Sequence, residues 1–119
     1  MSTPVLYGIP NCDTMKKARA WLAAQGIEVT FHDYKKLGIT AEVIEGWLAQ
    51  GATLDALVNR KGTTWRKLDE ASRAQAEHRE GAIALLLAQP SLIKRPVLVQ
   101  AGRVEVGFSE AAYQALFAH

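Results

Sequence analysis

The chain holds one cysteine, Cys12, in the stretch YGIPNCDTMKKARAWL, residues 7–22. A thiol attacks as its thiolate, and an ordinary cysteine with a pKa of about 8.5 is only a few per cent ionised at pH 7. Cys12 follows an apolar run and a Gly-Ile-Pro turn and precedes a helical pattern. Unpaired amide N–H groups of a first helical turn would face it, and the helix dipole is positive at that end. Lys16 and Lys17 follow within about one turn. Cations there oppose the dipole at a cost of a few tenths of a kcal/mol each, and a local rule broken at one place hints at function. Asp13 acts the other way, favouring the helix start and repelling a thiolate. The residues alone leave a second reading open, in which Cys12 is a small hydrophobe beside a helix cap and the lysines are a solvated face.

The elements that must position Cys12 can be read from the pattern. Pro4–Tyr7 reads as a short strand ended by Gly8 and Pro10. From Thr14 the period turns helical, with Met15, Ala18 and Leu22 on one face and Trp21 widening it, and Gly26 ends the helix. Glu28–Asp33 alternates, with Val29 and Phe31 on one face, and reads as a second strand. This β-α-β unit predicts a parallel pair. A helical middle follows. Thr40 caps a helix with Val43, Ile44, Trp47 and Leu48 inward, ended by Gly51, and Leu54–Val58 forms a shorter one. Asn59–Thr64 reads as a loop, and Glu70–Gln89 as one or two helices broken near Gly81. Val97–Gln100 and Arg103–Val106 then alternate around Ala101-Gly102 as a hairpin, and Ser109 caps a last helix through Ala118. Within that helix Ala112, Tyr113, Leu116 and Phe117 face inward. The expectation is an α/β thioredoxin-like fold, β-α-β then β-β-α, over residues 1–119 as one domain, with a helical insertion at about 38–92.

Composition narrows the function. With 119 residues, 49% hydrophobic and 22% charged, the chain can bury a core without disulfides or metal. A net charge of +2 gives no polyelectrolyte footprint, so no nucleic-acid partner is expected. His32, His78 and His119 stand at no ligand spacing from Cys12 or each other, so no metal is expected. There is no GxGxxG or Walker loop and no internal repeat. No secretory signal opens the sequence, and the longest apolar run, Ala82–Ala88, is too short to span a bilayer. One cysteine makes no internal disulfide. The expected location is the cytoplasm, where thiols stay reduced. No long apolar face stands out, and a monomer is expected. The tryptophans Trp21, Trp47 and Trp65 are read as core or loop-packing residues, and Tyr7 and Tyr34 as packing only.

The strings LYGIPNCDTMKKARAWL (6–22), Asn59-Arg60-Lys61-Gly62, Gly62-Thr63-Thr64-Trp65-Arg66-Lys67-Leu68 and Lys94-Arg95-Pro96-Val97 together resemble the arsenate reductase (ArsC)-like family. The closer likeness is to its YffB subgroup, which neighbours the Spx regulators. The resemblance covers nearly the whole chain. It implies a thioredoxin-like fold with a helical insertion and Cys12 as catalytic nucleophile. It also implies Arg60 and Arg95 as a lining that binds an oxyanion or a glutathione carboxylate, chemistry suited to a planar, always-charged fork. Pro96 matches the proline that opens the strand facing the site, commonly cis in such folds; on residues alone a trans proline opening a strand is equally allowed. Asn11 and Pro96 join Lys16 and Lys17 as candidate substrate or glutathione contacts.

Departures from the family pattern separate the possible functions. Arsenate reductases of this family carry a histidine where this chain has Gly8, and a third basic residue where it has Gly107. Losing charged contacts to an oxyanion costs a few kcal/mol of transition-state binding. Many Spx regulators carry Cys-x-x-Cys, whereas Met15 stands at the second position here and cannot resolve a disulfide. With one thiol, the resolving thiol must come from outside, and glutathione is the expected cosubstrate, with no bound cofactor. The expected function is a glutathione-dependent monothiol reductase acting on a mixed disulfide. The alternatives are an Spx-like protein-binding module with little catalysis, and an arsenate reductase. In its bland reading Arg60 is a solvated loop arginine.

Overall fold

A computed structural model describes residues 3–118, so His119 lies outside the described residues. The chain divides into two compact units, one holding the residues through Gly38 and from Arg95 onward, the other Ile39–Lys94.

The first unit is built on four short strands: β1 (Val5–Gly8), β2 (Thr30–Asp33), β3 (Val97–Gln100) and β4 (Arg103–Val106), in the order β2-β1-β3-β4. β1 pairs parallel with β2 and antiparallel with β3, and β3 pairs antiparallel with β4. The register puts Leu6 beside both Phe31 and Leu98, so the three share one face of the sheet. Helix α1 (Asp13–Ala24) lays Met15, Ala18 and Leu22 on that face, at helical spacing. The last helix, Glu110–Phe117, adds Tyr113, with Phe108, Leu116 and Phe117 packed around the cluster. Burying a large aliphatic side chain is worth roughly 1.5–3 kcal/mol relative to exposure, so Leu6, Leu22 and Leu98, each at most 1% exposed, anchor the unit. The β-α-β and β-β-α halves of a thioredoxin-like fold are both present. A short helix α2 (Tyr34–Leu37) leaves β2 directly, capped by the Asp33 carboxylate, which accepts from Lys35 N at 3.0 Å.

The second unit is helical: α3 (Ala41–Ala49), α4 (Leu54–Leu57), α5 (Thr63–Arg66), α6 (Glu70–Gln75) and α7 (Arg79–Ala88), so the last helix of the chain is α8. Ile44, Trp47, Leu57, Ala82, Leu86 and Leu92 are buried there. Thr40 and Thr53 cap α3 and α4 through their hydroxyls, as short β-branched hydroxyl residues do.

Two expectations need correction. The second strand starts at Thr30, not Glu28. The loop predicted over 59–64 ends at Gly62, because Asn59 Oδ1 accepts from Lys61 N at 3.1 Å and closes a tight turn that frees Thr63 to begin α5. The break expected near Gly81 is present and falls at Ala76–His78, just before α7. Gly81 sits inside α7, where a Cβ would lie 2.5 Å from the Gln75 carbonyl oxygen. It is a close-approach glycine, not a helix breaker.

Candidate active site

Cys12 is the N-cap of α1. Its backbone is extended, with φ −124° and ψ 131°, while its carbonyl already accepts the first helical bond from Lys16 N at 3.0 Å. That geometry turns the side chain back over the first helical turn. The sulfur closes no regular capping hydrogen bond. Burial of the thiol pushes its pKa up, but the Met15 amide, the Arg95 guanidinium and the Thr14 amide together outweigh it and hold the pKa below its ordinary value. The helix N-terminus thus acts through specific amides, and the cation at the sulfur is Arg95, which follows the helical unit in sequence and precedes β3.

Lys16 and Lys17 are exposed on α1, and Asn11 is exposed in the turn before it. Lys17 lines an open groove of about 670 Å3 with Trp21, Phe108, Glu110 and Gln114. Pro96 is buried, and the Arg95–Pro96 peptide is cis. The Pro96 carbonyl accepts from Gly107 N at 2.8 Å, and Gly107 has a φ of +84°, a conformation that glycine adopts at no steric cost. The position where arsenate reductases of this family carry a basic residue is here a backbone contact to the site proline.

Arg60 belongs to the second unit. Its Nη1 pairs with Asp55 Oδ1 at 3.0 Å, and its guanidinium lies 5.3 Å from the centroid of Trp65. Arg73 approaches the same ring at 5.8 Å and donates to the Trp65 carbonyl. Trp65 is therefore a packing platform for two guanidinium groups, and Arg60 is held rather than loosely solvated. With Lys61, Lys94, Asn59 and Asp55 it lines a groove of about 330 Å3.

The residue that sequence reasoning missed is Tyr34. The sequence pattern reads it as packing only, yet the Arg95 guanidinium acts on both the Tyr34 hydroxyl and the Cys12 thiol. Burial pushes the Tyr34 phenol up, against the pull of Arg95, and the charges of Cys12 and Asp33 push it further. Register is the signal that could have found it. Gly8 and Asp33 are paired neighbours at the ends of parallel strands, so the chain leaving β1 toward Cys12 and the chain leaving β2 at Tyr34 emerge at one edge, where α/β folds place their sites.

Among the described residues no group of three or more His, Cys, Asp or Glu side chains could hold a metal, and no helix is long and apolar enough to cross a membrane. The arrangement supports thiolate chemistry.

Comparison with known proteins agrees. The model of the ArsC family matches residues 7–116. An uncharacterized protein of Haemophilus influenzae is 44% identical over 119 residues, covering 95% of this chain and 97% of its own length. The solved structure of a protein titled YFFB (PA3664) is 53% identical, covers 98% of this chain and all of its own, and superposes with a TM-score of 0.88. The global transcriptional regulator Spx of Streptococcus pyogenes is 26% identical over 107 residues, 88% of this chain and 78% of the regulator.

Proposed function

From the premise that this chain belongs to the ArsC family, with its thiol-redox fold, we propose that it is a glutathione-dependent monothiol reductase of mixed disulfides. The observation that carries the reading is the place of the chain's only thiol as the N-cap of α1, where the Met15 and Thr14 amides and Arg95 outweigh burial and hold its pKa below the ordinary value. Such a thiolate attacks the glutathionyl sulfur of a mixed disulfide, R–S–S–G. The new bond joins Cys12 to glutathione, and the S–S bond of the substrate breaks. R–S⁻ departs and takes a proton. A second glutathione thiolate then attacks the glutathione sulfur of that intermediate, releasing oxidised glutathione and restoring the Cys12 thiolate. The sum is R–S–S–G plus glutathione giving R–SH plus oxidised glutathione. Arg95 stabilises the Cys12 thiolate as attacker and as leaving group. Arg60, Lys16, Lys17, Asn11 and Pro96 are the further groups proposed to contact glutathione or substrate. The reading places the protein as a monomer in a reducing compartment such as the cytoplasm.

The test is turnover of a small glutathione mixed disulfide by the purified protein, coupled to glutathione reductase and NADPH, with Cys12→Ser alongside. Turnover that vanishes in the folded Cys12→Ser variant is the expected result. Turnover that survives the substitution, or none in the unsubstituted protein, overturns the reading.

A further inference from the structure

Lys17 and Glu110 carry opposite charges and line one groove of about 670 Å3, Lys17 from α1 and Glu110 from the first residue of α8. Among the described residues neither makes an ion pair or a side-chain hydrogen bond. A solvated charge is ordinary on its own. Two opposite charges that share a groove and do not meet leave room between them for a group that carries both signs. The floor of the groove is apolar. Trp21 and Phe108 are half-buried, and each meets the buried Tyr113 ring edge-on, with centroids 5.7 and 4.8 Å away, which holds both rings in place. Ala20 adds only a methyl group, which keeps the groove open. Gln114, one turn beyond Glu110, brings an amide that both donates and accepts.

We propose that this groove between α1 and α8 is the subsite for the γ-glutamyl end of glutathione, with its carboxylate held by Lys17 and its ammonium by Glu110. The inference rests on the reading of the protein as a glutathione-dependent reductase, and it adds Glu110 and the aromatic floor to the contacts given there. The γ-glutamyl end is an α-amino-acid head, one carbon bearing both an ammonium and a carboxylate, and each charge meets its opposite across the groove. A peptide amide follows the head, as Gln114 requires. The reach is also right. Lys17 lies five residues beyond Cys12, about 7.5 Å along the helix axis. Two residues of extended chain span about 7 Å, so a head held at Lys17 leaves the neighbouring glutathione sulfur within reach of Cys12. The N-terminus of α8 does not compete for the carboxylate, because the Ser109 hydroxyl already accepts from Ala112 N at 3.1 Å and Glu110 repels an anion there.

The experiment is a nitrogen-15 NMR titration with γ-glutamyl-2-aminobutyryl-glycine, a copy of glutathione without its sulfur. Its binding needs no thiol chemistry, so this test can fail while the reductase assay succeeds, and the reverse. The Trp21 indole N–H and the Gln114 side-chain amide are expected to shift along one saturating curve. Lys17→Gln and Glu110→Gln, both at exposed positions, are each expected to weaken binding about three- to fivefold. Two trimmed ligands test which charge meets which. A 4-aminobutyryl group in place of γ-glutamyl removes the carboxylate, and that loss should add nothing in Lys17→Gln. A glutaryl group removes the ammonium, and that loss should add nothing in Glu110→Gln. Unmoved Trp21 and Gln114 signals, unchanged affinity in the variants, or losses that add in full overturn the proposal. Free glutamine binding as tightly as the tripeptide overturns it too, and marks the groove as a site for free amino acids.

Discussion

Met15 fills the space that a Cβ on Gly8 would need: a side chain at position 8 would run into the Met15 sulfur and terminal methyl. These are two of the three positions at which the chain departs from the motifs it resembles, the histidine of arsenate reductases and the second cysteine of Cys-x-x-Cys regulators, the third being Gly107. In this fold they are one packing unit. Gly8 ends β1, and Met15 is fully buried on the first turn of α1. A methionine can fill this gap because its chain is unbranched and adaptable. Gly8→Ala is expected to cost about 1 kcal/mol in urea unfolding, the low end of the range for overpacking, because the atoms it meets are the far end of a flexible side chain. Shortening Met15 to Ala in the same chain should recover part of that loss, although Met15→Ala alone is destabilising. Strictly additive losses would show that the two side chains do not share the space.

Arg95 sets the second expectation. Burial raises the Cys12 pKa and Arg95 helps pull it below its ordinary value, so Arg95→Gln should raise it. Loss of an adjacent opposite charge moves a pKa by about one unit or more, roughly tenfold in alkylation rate below the midpoint. The sign for stability follows. A thiol whose folded pKa is depressed contributes stability that is fully present above its unfolded value of about 8.5 and is lost as pH falls through the folded value. The stability of the unsubstituted protein relative to Cys12→Ser should therefore rise with pH across that window. Denaturation midpoints of both proteins at several pH values check it. A difference that shrinks as pH rises would mean that burial, not Arg95 and the amides, controls the thiol.

Much of the first unit was legible because its elements are periodic and short. The apolar spacing of Met15, Ala18 and Leu22 fixed α1, and alternation around Ala101-Gly102 fixed the hairpin. The place of Cys12 as the N-cap of α1 was legible because a strand end, a Gly-Ile-Pro turn and a helical period meet there. Tyr34 was not, because its role depends on which strand lies beside β1 and in what register, and no local pattern carries that. Arg95 was found through resemblance; nothing in its own neighbourhood in sequence says that it reaches residue 12. The start of α5 was missed because Gly62 was given its commonest local meaning, a loop, while the turn closed by Asn59 decided otherwise.

Gly81 makes that contrast measurable. By helix propensity, glycine to alanine inside a helix gains about 1 kcal/mol. Here a Cβ would meet the Gln75 carbonyl oxygen at 2.5 Å and two more backbone atoms at 3.2 Å. Backbone cannot turn away as a flexible side chain can, so the end of α6 must move. Gly81→Ala is expected to lose about 1–3 kcal/mol despite the propensity gain, read from the midpoint of denaturant unfolding. A stabilised variant would show that the turn between α6 and α7 yields freely.

The hairpin turn offers the reverse case, a residue that can be improved. Gln100 pairs with Arg103, leaving a two-residue turn in which Ala101 has a φ of +48° and Gly102 a φ of +79°. Positive φ at both central positions is the type I′ turn, whose twist matches that of the flanking strands, and whose favoured residues are Asn-Gly. Gly102 already fits. Ala101 carries a Cβ into the left-handed region, where alanine is disfavoured by roughly 1–2 kcal/mol. Its side chain is exposed, so nothing is lost in packing by changing it. Asparagine tolerates the left-handed region through local hydrogen bonding. Ala101→Asn should therefore stabilise the protein by about 0.5–1 kcal/mol, with Tm rising by roughly 2–5 °C for a domain of this size. Ala101→Val should do the opposite, since a β-branched residue is poorly accommodated at positive φ. Thermal unfolding of the two variants side by side distinguishes a backbone effect, with opposite signs, from a general tolerance of the turn, with neither variant moved.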